Sequence, residues 1–140
     1  MEKKDLKPAG VFKYFEEICQ VPRPSKKEEK IIAYLKAFGA KHNLETKVDE
    51  AGNVLIKKPA TPGKENLQTV VLQSHIDMVC EKNNDVQHDF LTDPIETEID
   101  GEWLKAKGTT LGADNGIGVA TELAILADDS IEHGPVSYTH

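Results

Sequence analysis

The chain has 140 residues, a formal net charge of -7 and 39% hydrophobic residues, which fits one domain with a core of its own. Lys and Arg form no cluster longer than two, and the acidic balance argues against nucleic acid and anionic membranes as partners. The only cysteines are Cys19 and Cys80, and no apolar run approaches the roughly 20 residues of a membrane span, so we expect free thiols in a soluble, cytoplasmic protein.

The first half of the chain predicts two amphipathic helices followed by a pair of strands. Apolar residues recur at helical spacing in both helical segments, and Pro8 suits the first turn of the first one. Ser25 and Glu28 have the spacing of a capping box, which places the start of the second helix at Ser25. Gly52 can supply a positive φ for the turn between the strands. The predicted elements are helices over 8–20 and 25–43 and strands over 44–48 and 53–57.

The second half predicts a buried strand, a hairpin and an apolar helix. The nearly continuous apolar run over 69–72 is typical of a strand buried on both faces. Asp100 and Gly101 form a dipeptide that favours a tight turn between two strands. Helices that precede and follow strands predict a mixed α/β layer domain. The remaining predicted elements are strands over 95–99 and 103–106, a loop over 108–116, a helix over 117–127 that packs on a sheet, and a strand beginning over 136–140.

The segment after the buried strand carries the first pair of side chains suited to chemistry. His75 and Asp77 lie in Ser-His-Ile-Asp, and in an extended backbone positions i and i+2 point the same way. An imidazole with a neighbouring carboxylate suits a zinc-type ion, because the carboxylate can accept the second ring N–H and fix the tautomer. The same triplet is also common as a hydrogen-bonded strand end, and the spacing does not separate the two interpretations.

Asp114 supplies a second carboxylate just before the last predicted helix. An aspartate there can act as a helix N-cap, which is worth about 1 kcal/mol relative to alanine. The glycines at 112, 116 and 118 exceed what a cap needs and allow close backbone approach around one acid, which favours a metal ligand. The glycines match neither a P-loop nor a dinucleotide-binding pattern, and no Gly-x-Ser-x-Gly elbow supplies a nucleophile.

The other histidines are weaker candidates. We expect His88, in a polar stretch, to be a solvated loop residue. His42 falls near the end of the second predicted helix, where a cation suits the helix dipole. His133 lies in a connection before Gly134, and His140 is terminal.

Two long blocks of sequence are specific enough to identify a family resemblance. SHIDMVCEKNNDVQHDF over 74–90, with Asp-Pro-Ile over 93–95, and DGEWLKAKGTTLGADNGIGVA over 100–120 closely resemble the bacterial aminoacyl-histidine dipeptidases. That family belongs to a clan of cocatalytic zinc peptidases. The likeness also takes in 22–25 and 53–63, so it covers nearly the whole chain. It implies an α/β fold, the helix-sheet-helix layered catalytic domain of these zinc peptidases.

The resemblance also implies roles for the residues singled out above. His75 would ligate one of two zinc ions, Asp114 would bridge both, and Asp77 would be the catalytic carboxylate that orients the site. The bond between Asp114 and Asn115 matches the place where relatives carry a cis peptide. The implied cofactor is Zn²⁺, with other divalent metals as alternatives. The implied reaction is hydrolysis of a small peptide substrate, a dipeptide with C-terminal histidine preferred, by a metal-activated water.

The chain departs from the family pattern after residue 135. Relatives continue into a strand that ends in paired glutamates, one of them the general base, and later supply an Asp, a His and a lid domain. We therefore expect residues 1–140 to be the N-terminal portion of the catalytic domain and to be inactive alone. The alternative is a non-enzymatic truncated remnant that needs a partner or a homo-oligomer to fold, because an interrupted sheet leaves an apolar strand edge open.

Overall fold

The computed structural model describes residues 2–139, so Met1 and His140 lie outside the described part. Three α-helices and six strands make up its regular structure, together with a short 3-10 helix over Lys3–Asp5. The helices are α1 (Ala9–Cys19), α2 (Glu29–Lys41) and α3 (Ala113–Ala127). The strands are β1 (Glu45–Val48), β2 (Val54–Lys58), β3 (Val70–Gln73), β4 (Thr97–Asp100), β5 (Trp103–Ala106) and β6 (Val136–Thr139).

A four-stranded mixed sheet has the order β1-β2-β6-β3. β1 pairs antiparallel with β2, β2 pairs antiparallel with β6, and β3 runs parallel to β6. Tyr138 lies at the centre of the sheet, opposite Ile56 on one side and Leu72 on the other. β4 and β5 form a separate antiparallel hairpin. The predicted α/β class is confirmed.

Helices α1 and α3 pack against each other and supply much of the core. Gly10 of α1 faces Ala124 of α3, and a Cβ placed at Gly10 would lie in ordinary contact with the Cβ of Ala124, at 3.6 Å. Burial of these apolar faces is the main favourable term in folding, at about 25 cal/mol per Å². The most deeply buried core side chains are Phe15, Ile18, Ile31, Leu35, Val54, Ile56, Val119, Leu123, Leu126 and Tyr138.

Strand β3 differs from its prediction. The apolar run over 69–72 predicted a strand buried on both faces, but Val70 and Val71 are 53% and 61% exposed. Successive strand residues point to opposite faces, so both faces of β3 are open at this end. Within residues 2–139, β3 pairs only with β6 and is therefore an edge strand. The sequence pattern shows that the strand is apolar, but it does not show which other elements pack against its two faces.

The second helix begins four residues later than predicted. Lys26 adopts a positive φ of 67°, so the chain turns away from helical geometry directly after Ser25. The carboxylate of Glu28 accepts a hydrogen bond from the backbone N–H of Lys26 at 2.6 Å. The predicted capping box is wrong, because Glu28 is itself the N-cap residue and makes no side-chain cap bond. The Ser25 hydroxyl donates to Asp77 instead.

α3 begins at Ala113, four residues before its predicted start and inside the predicted loop over 108–116, and β4 begins two residues later than predicted. Several other boundaries follow the sequence closely. α1 and the strands on either side of Gly52 lie within one residue of their predictions, and Gly52 has the expected positive φ. The tight hairpin turn falls at Gly101 and Glu102, one residue later than predicted, since Asp100 pairs with Trp103. Both cysteines are free thiols, as predicted. In the described part of the chain, no helix is both long and apolar enough to span a membrane.

Candidate functional site

His75 and Asp114 meet although 39 positions separate them in the sequence. The Nε2 atom of His75 lies 3.1 Å from Oδ1 of Asp114. On the other side of the ring, Nδ1 lies 3.0 Å from Oδ1 of Asp77. The side chain of Asp114 is 98% exposed and that of His75 is 51% exposed, so solvent reaches the side of the imidazole that faces Asp114.

The imidazole has an oxygen acceptor at each nitrogen. A neutral ring carries one N–H, so the second nitrogen needs a further proton or a cation to satisfy this arrangement. Burial lowers the pKa of His75, but the hydrogen bonds with Asp114 and Asp77 outweigh burial and raise that pKa above its usual value. In the protonated ring, the proton on Nε2 lies between the imidazole and Asp114, at the point where a divalent cation would contact both.

Asp77 uses both carboxylate oxygens within the site. Oδ1 faces His75, and Oδ2 accepts a hydrogen bond from the hydroxyl of Ser25. The bond from Ser25 lowers the pKa of Asp77 most, and His75 lowers it further against the opposing effect of burial. The carboxylate is therefore held ionised beside Nδ1, on the opposite side of the ring from Asp114. Such a group fixes the tautomer and orientation of a ligating histidine.

The irregular first turn of α3 directs the carboxylate of Asp114 towards His75. Gly112 has a positive φ of 72°, and Asp114 has the non-helical dihedrals φ -93° and ψ 105°. The peptide bond to Asn115 is cis, as the family resemblance implies. Oδ1 of Asn115 accepts a hydrogen bond from the backbone N–H of Gly118 at 3.1 Å. Asn115 therefore caps the regular part of α3, and the N-cap interpretation of Asp114 is wrong.

Sequence reasoning overlooked Arg23, which is 2% exposed. Nη1 donates to the carbonyl oxygens of Ile76 at 3.2 Å and Asp77 at 3.3 Å, and Nη2 donates to that of Gly112 at 2.8 Å. The guanidinium thus contacts both segments that form the site. The available signal was its place between two prolines in the connection from α1 to α2, within the stretch that resembles the family.

A buried acid lies behind the strand that delivers His75. Glu122 on α3 is 6% exposed, and its Oε2 accepts a hydrogen bond from the hydroxyl of Ser74 at 2.7 Å. Burial raises the pKa of Glu122 to about 7. Burial, and then the charge of Glu122, also raise the pKa of Tyr138 in the central strand. The residue preceding His75 is thereby tied to α3, a contact that no local sequence pattern signals.

The other histidines within the described residues lie elsewhere. The ring of His42 packs against Phe38 with centroids 4.4 Å apart, and burial lowers the pKa of His42, so it is not the cation expected at a helix end. His88 was expected to be solvated, but its ring packs on Phe90 and its Nε2 atom is buried. His88 does lie in a loop as predicted, but it is only partly solvated, because Phe90 covers part of its ring. Nδ1 of His133 faces the Gly134 carbonyl at 2.6 Å.

The donor set fits part of a zinc site. Imidazole nitrogen and carboxylate oxygen are zinc ligands, and structural zinc takes four of them. Within residues 2–139, no group of three or more His, Cys, Asp or Glu side chains is arranged to hold a metal ion. A cleft of about 220 Å³ adjoins His75 and Asp77, and its further lining includes Glu28, Ile32 and Asn53. The site thus has two convergent donors, His75 and Asp114, and a cleft that adjoins His75 and Asp77.

Comparison with known proteins supports the resemblance over almost the whole chain. The chain is 51% identical over 135 residues to the cytosol non-specific dipeptidase of Escherichia coli K12, an alignment that covers 96% of this chain and 28% of that protein. It is 52% identical to the crystallised aminoacylhistidine dipeptidase of Vibrio alginolyticus, with a TM-score of 0.95, over 99% of this chain and 28% of that one. No family model matches the sequence. The chain therefore spans little more than a quarter of the length of these two relatives.

Two more distant structures share the fold. A tripeptidase from Staphylococcus aureus has a TM-score of 0.73 at 22% identity. An aminopeptidase from Bacillus cereus has a TM-score of 0.75 at 23% identity. Each match covers 93% of this chain and 35% of the other protein. The arrangement of helices and sheet is thus common to peptidases whose sequences have diverged widely.

Proposed function

We propose that residues 1–140 form the N-terminal portion of the catalytic domain of a cytoplasmic, zinc-dependent dipeptidase. The observation that carries this proposal is the approach of His75 Nε2 to Asp114 Oδ1, at 3.1 Å, from two distant segments. The two relatives named as dipeptidases, at 51% and 52% identity, support it. Cleavage of dipeptides with C-terminal histidine is the specificity that we propose from the family resemblance.

His75 and Asp114 are the residues that would hold metal. When bound, zinc supplies electrophilic activation of the peptide carbonyl and lowers the pKa of a water molecule. His75 would hold the metal through Nε2 of a neutral ring, because Asp77 can accept the proton on Nδ1 and fix that tautomer. Asp114 would offset cationic charge there, and the family resemblance implies that it would help to hold both ions of the complete site.

We propose that the chain alone binds zinc weakly and does not turn over peptide. Four-ligand structural sites yield roughly 10 to 16 kcal/mol of apparent binding free energy, and two donors retain far less of it. The missing ligands and the general base would lie in the part of the relatives, beyond the 28% covered here, that has no counterpart in this chain. The open side of Asp114 leaves room for such groups.

Zinc titration calorimetry and an assay with Xaa-His dipeptides test the proposal on the purified chain. We expect weak binding that disappears in His75→Ala and Asp114→Ala. His133→Ala is the matched control, since Nδ1 of His133 faces the carbonyl of Gly134 and not the residues of the site, and it should bind as the unmodified chain does. Binding that survives both site variants would refute the metal assignment. Robust turnover that His75→Ala abolishes would show that further ligands are not essential.

The alternative is a non-enzymatic chain that pairs with a second copy through its sheet. The exposure of Val70 and Val71 at the edge strand favours it, because an open apolar edge is a template for strand pairing. Sedimentation velocity would then show oligomers that Val71→Lys disperses. A monomer that melts cooperatively would contradict this alternative and leave the metal proposal intact.

A further inference from the structure

Arg23 is an unusual group to find in the interior of this chain. It is 2% exposed, and a buried charge is costly unless hydrogen bonds satisfy it. Its three hydrogen bonds go to backbone carbonyls, two in the segment after β3 and one at Gly112. The guanidinium therefore joins two parts of the chain that meet at the candidate metal site.

The connection is reinforced by the backbone of the same segment. The backbone N–H of Met78 donates to the carbonyl oxygen of Arg23 at 3.0 Å, and Pro24 forms a parallel bridge with Met78. Ser25 then donates to the carboxylate of Asp77. The connection over 22–25 thus aligns with the segment that carries His75 and Asp77 and anchors it at several points.

Two glycines leave space for the guanidinium. A Cβ at Gly112 would lie 2.6 Å from Nη2 of Arg23, and one at Gly116 would lie 2.7 Å from the same atom. Both distances are shorter than a real contact, so the guanidinium fills the space that the Cβ of any other residue at these two positions would need. These glycines flank Asp114 on both sides. The close packing of Arg23 therefore fixes the backbone from which that carboxylate projects.

The position of Asp114 depends on this backbone because its side chain has little other support. With 98% of the side chain exposed, no packing holds the carboxylate near His75. We propose that Arg23 is a positioning residue that holds the His75 segment and the Asp114 loop at the separation at which one cation touches both. This inference rests on the proposed metal centre. Groups that orient metal ligands typically contribute 10- to 100-fold in affinity.

Arg23→Lys and Arg23→Met test the proposal, with Lys58→Met as a matched control. Lys58 is another buried cation, 8% exposed, and its Nζ donates to the Asp128 carbonyl at 2.9 Å, far along α3 from Asp114. Arg23→Lys keeps the charge but not the fork of donors that reaches two segments. The readouts are zinc affinity, thermal melting, and the nuclear Overhauser effect between the His75 ring and the Asp114 methylene in the metal-free chain.

We expect about tenfold weaker zinc binding in Arg23→Lys, up to about 100-fold in Arg23→Met, and a weakened Overhauser effect in both. Lys58→Met should lower the melting temperature and leave the other two readouts unchanged. A cooperatively folded Arg23→Lys with unchanged Overhauser effect and affinity would overturn the proposal. So would loss of cooperative melting in both Arg23 variants while Lys58→Met still melts cooperatively, since Arg23 would then support the fold as a whole.

The failure of the metal centre would look different. If the unmodified chain shows no zinc binding that depends on His75, the proposed function fails. The Overhauser comparison in the metal-free chain still decides whether Arg23 sets the separation between His75 and Asp114.

Discussion

Glu122→Gln should change how the stability of this chain depends on pH. The carboxyl of Glu122 is 6% exposed and its pKa is raised by burial to about 7, against an ordinary value of 4.5. The folded state therefore holds the proton more tightly than the unfolded state. Stability from this group is fully present below about pH 4.5 and is lost as the pH rises to about 7.

The magnitude follows from the shift. One pKa unit corresponds to 1.36 kcal/mol, so ionising Glu122 costs the folded state about 3 kcal/mol above pH 7. Glutamine cannot ionise, and its side-chain oxygen can still accept the hydrogen bond from Ser74. We expect the difference in unfolding free energy between Glu122→Gln and the unmodified chain to grow by about 3 kcal/mol in favour of the variant between pH 4.5 and 8.

Urea denaturation followed by circular dichroism, at intervals of half a pH unit, measures this difference. Taking the variant against the unmodified chain at each pH cancels the contributions of His75 and of other groups that both proteins share. Glu50→Gln is the control, since Glu50 lies exposed in the turn between β1 and β2. Parallel stability curves for Glu122→Gln and the unmodified chain would refute the reasoning that Glu122 is protonated because it is buried.

Three further substitutions test other contacts of the site. Ser25→Ala removes the hydrogen bond to Asp77, and we expect the pKa of Asp77 to rise and zinc affinity to fall severalfold, as measured by carboxyl NMR titration and calorimetry. Gly112 and Gly63 both have a positive φ, but of the two only Gly112 lacks space for a Cβ. Gly112→Ala should therefore lower the free energy of unfolding, measured by urea denaturation, by about 3 kcal/mol, and the control Gly63→Ala should lower it by about 1 kcal/mol. Asn115→Ala removes a helix cap and should cost about 1 kcal/mol by the same assay, and an unchanged midpoint would show that another group caps α3.

The parts of the fold that the sequence predicts well are those whose signal is local. α1 and the hairpin at Gly52 depend on spacing within a few residues, and both lie where the pattern places them. β3 was misjudged because burial depends on which strand lies beside it, and β6 comes more than sixty residues later. Ser25 and Glu28 have the residue types and spacing of a capping box. The positive φ of Lys26 changes the backbone between them, so the two side chains have other partners.

In the candidate site too, contacts between neighbouring residues could be predicted from the sequence, and contacts between distant residues could not. The nearness of His75 to Asp77 follows from the alternation of an extended backbone, and the structure shows the pair in contact. Their meeting with Asp114 required the family resemblance, because no local rule links residues so far apart. Arg23 and Glu122 belong to classes that are usually exposed, and only tertiary packing shows that both are buried beside the site.

The central place of β6 has a consequence for how the chain folds during synthesis. Within residues 2–139, the β1–β2 hairpin and β3 are joined in one sheet only through Val136–Thr139. Pairing between segments so distant in the chain is slow, because loop-closure entropy is lost before the contacts form. While a ribosome still holds residues 136–139 in its exit tunnel, the sheet stays in two separate pieces. Proteases and chaperones would therefore meet an open nascent chain until residues 136–139 have left the tunnel.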